Sequence, residues 1–87
     1  MVLPRKSPGK ARANERDFPH IIEIEMPANG LNVRMSREIA TFHRAREIEF
    51  RFGRTRVQND QHYCRWCFTD PLIAGVFLER FGGARVT

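Results

Sequence analysis

Two cysteines three residues apart, in Cys64-Arg-Trp-Cys67, have the types and spacing of a reactive dithiol. A redox pair of this kind needs its attacking sulfur at a helix N-terminus, where the thiol pKa falls. Both cysteines lie instead in a strand-like run, so residues three apart point to opposite faces. The same parity separates His62 from Cys67, and His62, Asp60 and Cys67 do not converge as a nucleophile and base. Adding His43 or His20 to the cysteines does not make a zinc site, because a second closely spaced Cys or His pair is absent. The sequence also lacks a Gly-rich phosphate loop after a strand and a Ser elbow. No catalytic residue, metal ligand set or cofactor is assigned from it, and a non-enzymatic chain is expected.

Arginine offers a different chemistry. Tyr63, Arg65 and Cys67 share one strand face, while Cys64, Trp66 and Phe68 form the larger apolar face and should turn to the core. Arg65 is then expected between Glu23 or Glu25 on one side and Glu49 on the other. Such cross-strand pairs contribute roughly 0.2–1 kcal/mol each. This predicts a charge-paired, solvated face; the alternative is a polar ligand site made by Tyr63, Arg65, Glu23 and Glu49. Stacking of RNA bases on this sheet is disfavoured, because only Tyr63 is suited to it and the glutamates repel phosphate.

The other basic residues form a dispersed set. Arg5, Lys6, Lys10 and Arg12 lie in the first 17 residues, which hold five basic side chains against two acidic ones. The net charge of the whole chain is +5. Arg37 and Arg44 are seven residues apart on a predicted helix, and Arg54 and Arg56 share a predicted loop. Together with the tail they are candidate nucleic-acid contacts, whose affinity would fall steeply with salt. A solvated basic surface explains the same residues, and nucleic acid is not the favoured partner. Thirteen Arg against two Lys suits phosphate recognition, and a genome-wide compositional bias gives the same ratio.

The elements that position these residues follow from periodicity. Residues 1–17 have no apolar period and are expected to be a disordered basic tail, followed by one α+β domain over 18–87. His20–Met26 alternates, with Ile22, Ile24 and Met26 inward. Residues 31–35 read as a loop or a returning hairpin strand. Ser36 is the expected cap of a helix over 37–45, with Ile39 and Phe42 on its apolar face. Glu47–Phe52 alternates strictly, with Ile48, Phe50 and Phe52 inward, and 53–60 reads as a hairpin loop with Asn59-Asp60 at its turn. After the Trp66 strand, Asp70 and Pro71 mark a helix start. Gly82 marks its stop, and 84–87 is a short final strand. The order predicts a ferredoxin-like βαββαβ sandwich, an antiparallel sheet with two helices on one face. Its expected core contains Ile22, Ile24, Ile48, Phe50, Phe52, Trp66 and Phe68.

The helix after Asp70 has only Glu79 and Arg80 as polar residues in its body, more apolar surface than one sheet needs. Leu72, Ala74 and Leu78 are therefore the expected protein interface, with a sheet edge as the alternative surface, either for a homodimer or for another protein. No stretch has the ~18 apolar residues of a membrane span, and the first residues lack the apolar core of a secretory signal. A cytoplasmic location with free thiols is expected. The segment 61–83, with Arg65-Trp-Cys-Phe, Asp70-Pro71, Phe77 and Phe81-Gly-Gly, resembles the C-terminal end of short uncharacterised bacterial proteins. That resemblance covers about a quarter of the chain and implies no activity.

Overall fold

A computed structural model describes residues 8–27 and 30–86. Its elements are α1 (Pro8–Asp17), β1 (His20–Met26), α2 (Val33–Ala45), β2 (Arg56–Gln58), β3 (Gln61–Phe68), α3 (Pro71–Phe81) and β4 (Ala84–Val86). The four strands form one antiparallel sheet in the order β2-β3-β1-β4. This is an α+β fold.

The inner sheet face carries the core. Ile22 and Ile24 from β1, Trp66 and Phe68 from β3, Ile39 and Phe42 from α2, and Ala74 and Phe77 from α3 form one buried cluster. Phe42 and Phe77 meet edge to face at 5.3 Å, and Phe77 also contacts Trp66 and Phe68 at 5.7 and 5.1 Å. Aromatic pairs of this geometry add about 0.5–1.5 kcal/mol each beyond the area they bury. Helices α2 and α3 thus lie together on one face, as expected.

Capping explains where these helices begin and end. Asp70 accepts a hydrogen bond from the Leu72 amide at 2.8 Å, with Pro71 in the first turn. Gly82, at φ 81°, closes α3 through a bond from its amide to the Leu78 carbonyl. For α2 the cap is Asn32, not Ser36: its side chain accepts from the Met35 amide at 2.7 Å. That capping bond starts the helix at Val33, so residues 33–35 are neither loop nor hairpin strand. Glu47, in the left-handed region at φ 53°, ends α2.

Three expectations change. First, the tail expected to be disordered is helical over Pro8–Asp17; residues 1–7 lie outside the described residues. Its Lys, Arg, Ala and Glu are good helix formers without an apolar stripe, so periodicity gave no signal. Second, the strand over 47–52 is displaced. Asn59 and Asp60 both adopt positive φ, 53° and 64°, which makes a two-residue hairpin turn pairing Gln58 with Gln61. The turn therefore selects Arg56–Gln58 as β2. Residue 52 touches the ladder only as an isolated bridge to Trp66. Third, Phe50 and Phe52 remain 45% and 38% exposed, stacked on each other at the core margin.

A β-bulge joins the two pairings. Between Arg56 opposite Tyr63 and Phe52 opposite Trp66, residues 53–55 face only residues 64–65. One extra residue bends the strand and turns local backbone groups out of the ladder.

Candidate functional site

The outer sheet face is covered by α1, and the bulge supplies the groups that hold it. Arg54 presents its amide to Glu15 Oε2 at 2.5 Å and its guanidinium Nη2 to Oε1 at 3.1 Å. Arg65 adds Nη1 to the same Oε1 at 3.0 Å. Asn14 donates to the Phe52 carbonyl at 2.9 Å, and the Arg51 guanidinium lies 4.0 Å from the Phe18 ring centroid. Ile21 and Cys67, both on the outer face, are buried.

Arg65 bridges two carboxylates. Register places Glu23 directly opposite Arg65, and Arg65 Nε donates to Glu23 Oε2 at 3.0 Å. Arg56 approaches Glu23 from the far side, Nη2 to Oε1 at 2.6 Å, with its guanidinium 4.2 Å from the Tyr63 ring. Arg56 also bonds the Gln58 side chain. The result is a line of three arginines interleaved with two glutamates across α1, β1, β3, the bulge and β2.

This arrangement is a charge-paired face, and it gathers some of the residues named for the alternative ligand site but not all. Arg65, Glu23 and Tyr63 come together as the strand parity requires. Glu49 does not join them; it pairs with Arg51 at 3.7 Å. Glu15 takes the place expected for Glu49, and sequence reading missed it because the tail was not expected to fold. The one available signal was a glutamate among the helix formers of residues 8–17.

The expected nucleic-acid rim is not assembled. Arg54 and Arg56 are engaged by Glu15 and Glu23. Lys10 and Arg12 belong to α1 on the outer layer, while Arg37 and Arg44 are exposed on α2 in the inner layer. Arg5 and Lys6 lie outside the described residues. Among the described residues no group of three or more His, Cys, Asp or Glu is placed to hold a metal ion. No described helix is long and apolar enough to cross a membrane. Cys64 and Cys67 form no disulfide and lie on opposite faces. Burial pushes the Cys67 thiol up to about 11, aided by Glu15 and opposed by Arg65.

The expected interface also changes. Ala74 is fully buried and so is not available as an outer surface, and Leu78 is partly buried against the core. Helical geometry puts both on the side of α3 that faces the sheet. Leu72 and Val76, one turn apart, are 77% and 44% exposed.

The titrating groups give a pH dependence with a definite sign. The Arg56 hydrogen bond holds the Glu23 carboxyl below its ordinary value against burial, with Arg65 adding to the effect. Burial works to raise Glu15, but the Arg54 hydrogen bonds and the Arg65 and Arg54 charges outweigh it, so Glu15 is also lowered. His43 donates from Nδ1 to the Ile39 carbonyl at 2.9 Å and stacks on Phe50 at 4.3 Å. Burial lowers its pKa, against that hydrogen bond and with a contribution from Arg46.

All three groups bind protons more weakly folded than unfolded, so acid favours the unfolded chain. The His43 contribution is intact above the ordinary value of 6.5 and declines as pH falls toward its lower folded value. The glutamate contribution is intact above 4.5 and is lost as pH falls through the lower folded values. Urea unfolding followed from about pH 8 to about pH 3 should show stability falling in these two stages. A flat profile through the upper window would contradict the buried state of His43.

No protein-family model, curated protein or solved structure matches this chain.

Proposed function

We propose that this chain is a small non-enzymatic interaction module that pairs with a second copy of itself through the outward face of α3. The observation that carries this reading is the exposure of Leu72 and Val76 on adjacent turns. Large apolar side chains clustered on a small domain mark a contact surface more often than scattered ones.

The surroundings favour self-pairing. A two-fold dimer brings the same patch onto itself, so the patch must be self-complementary. Glu79 lies at one end of this face. At the other end Arg85 reaches from β4 to the Pro71 carbonyl at 3.4 Å. Gly75 lies between them, beside the Arg85 guanidinium. Two α3 helices running antiparallel and centred near Gly75 set Glu79 of one copy against the Pro71–Leu72 turn of the other. The opposite charge of Arg85 stands there, at the positive end of the helix dipole.

The strand order, with α2 and α3 as crossovers, supports a ferredoxin-like sandwich to which α1 adds a third layer. The resemblance of 61–83 to short bacterial proteins is consistent with such a domain, and cysteines that form no disulfide fit a reducing compartment such as the cytoplasm.

Sedimentation velocity over a range of concentrations tests the dimer. A contact of one helix per copy predicts dissociation on the order of micromolar. Leu72→Glu should leave a monomer with an unchanged melting temperature, because Leu72 contributes little to the fold of one chain. Glu79→Arg should weaken pairing, and adding Arg85→Glu should restore it. A strict monomer at every concentration, or dimerisation indifferent to Leu72→Glu, would overturn the reading.

A further inference from the structure

We propose that Gly53, Arg54 and Arg65 form a carboxylate-binding site, filled in this structure by the chain's own Glu15, which takes an acidic side chain of a partner protein when α1 leaves the sheet.

The pocket is built for a planar two-oxygen group. Oε2 receives the Arg54 amide at 2.5 Å and Arg54 Nε at 3.3 Å. Oε1 receives Arg54 Nη2 at 3.1 Å and Arg65 Nη1 at 3.0 Å. One backbone donor and two guanidinium groups thus converge on one carboxylate, the arrangement in which charge-assisted bonds are strongest and most directional.

Two further features show that the space is shaped for the ligand. A Cβ at residue 53 would lie 2.7 Å from Glu15 Oε2 and 2.9 Å from Glu15 Cγ. Any other residue at this position therefore intrudes on the carboxylate. The Arg54 amide is free to point at Glu15 because the bulge, which begins after Gly53 donates to the Arg65 carbonyl at 2.9 Å, has released it from the ladder. The glycine also lets the strand pass close to β3, since the same Cβ would lie 3.1 Å from Arg65 Cβ.

The occupant is replaceable. Helix α1 has ten residues, below the ~12–15 at which isolated helices persist in water. Its described hold on the sheet includes the hydrogen bonds of Asn14 and Glu15, the contact of Phe18 with Arg51 and the cover it gives Ile21 and Cys67. A carboxylate arriving from another molecule makes the same four bonds. With Glu15 withdrawn, Arg54, Arg56 and Arg65 outnumber Glu23, so the vacated face attracts an acidic segment and repels a basic one.

The test is chemical replacement of the missing side chain. Glu15→Ala is titrated with sodium acetate, with sodium phosphate and with sodium chloride at matched ionic strength, reading the Gly53 and Arg54 amides and Arg65 Nε by NMR. Acetate should shift these signals saturably, with half-saturation about tenfold lower than in the wild-type chain, where Glu15 competes in cis. Chloride should not shift them. If Glu15→Ala does not fold, Glu15→Gln keeps the shape without the charge, and acetate, competing with a neutral side chain, should half-saturate at a lower concentration than in the wild-type chain.

A second arm adds a hexaglutamate peptide to the wild-type chain. The amides of residues 11–17 should move toward unstructured values as the peptide takes the pocket. Three outcomes overturn the proposal: acetate acting no differently from chloride, phosphate saturating the signals more tightly than acetate, or α1 signals unmoved at millimolar peptide.

Discussion

Phe77→Ala should remove about 3–5 kcal/mol of stability and leave much of the chain unfolded at room temperature. Phe77 is fully buried, and its ring is in contact with Phe42, His43, Trp66, Phe68 and Phe81. It joins α2, α3 and β3, so no single neighbour can relax into the space it leaves. A domain of this size has about 5 kcal/mol or somewhat more in total, so the loss approaches the whole. Urea unfolding followed by Trp66 fluorescence measures it directly, because the two rings lie 5.7 Å apart. Phe50→Ala is the control: its ring is almost half exposed, and the change should cost about 1 kcal/mol. Equal losses at the two positions would show that the core is not centred on Phe77.

Gly83→Ala should be comparably severe, at about 3–5 kcal/mol, for a backbone reason. Gly83 has φ 99°, and a Cβ there would fall 2.3 Å from the Glu23 carbonyl oxygen and 2.9 Å from Ile24 Cγ1. That carbonyl belongs to β1, which is paired on both sides and has no freedom to withdraw. The clash is relieved only if β4 moves away, which breaks the pairing of Ile21, Ile22 and Glu23 with Val86, Arg85 and Ala84. Gly82→Ala separates strain from clash. Gly82 has φ 81° with nothing within 4 Å of an added Cβ, so its cost should be about 1–2 kcal/mol. Amide exchange across β1 and β4 should accelerate strongly in Gly83→Ala and little in Gly82→Ala.

Much of this fold was legible because local and tertiary demands agree. In His20–Met26 the alternation, the following Pro27 and the core requirement coincide, and the strand has those bounds. In 61–83 a polar cap, a proline and a glycine each fix a boundary by a local mechanism. The failures occur where those demands part. Glu47–Phe52 carries the alternation of a buried strand, but the two-residue turn at Asn59-Asp60 sets the pairing of β2, and only the end of that segment, around Phe52, meets β3 beyond the bulge. Helix α1 has no apolar stripe because it is held to the sheet by Asn14, Glu15 and Phe18. Arg65 and Glu23 were placed together by parity alone, whereas Glu15, Arg54 and Gly53 meet through a bulge that no periodicity encodes. The apolar surplus of α3 points to Leu72, Ala74 and Leu78 alike, but helical phase buries Ala74, half-buries Leu78 and leaves Leu72 outside.

The position of β1 at the centre of the sheet has a consequence for synthesis. Its two neighbours are β3 and β4, both encoded far downstream. A chain growing from its N-terminus therefore carries Ile21, Ile22 and Ile24 as an unpaired strand until β3 has been made. Segments of this kind, rich in β-branched residues, invite pairing between nascent chains. Glu23 and Glu25 interrupt the apolar run, and charged residues in such places resist that pairing. Glu23 thus protects the growing chain against its neighbours before it becomes the partner of Arg56 and Arg65.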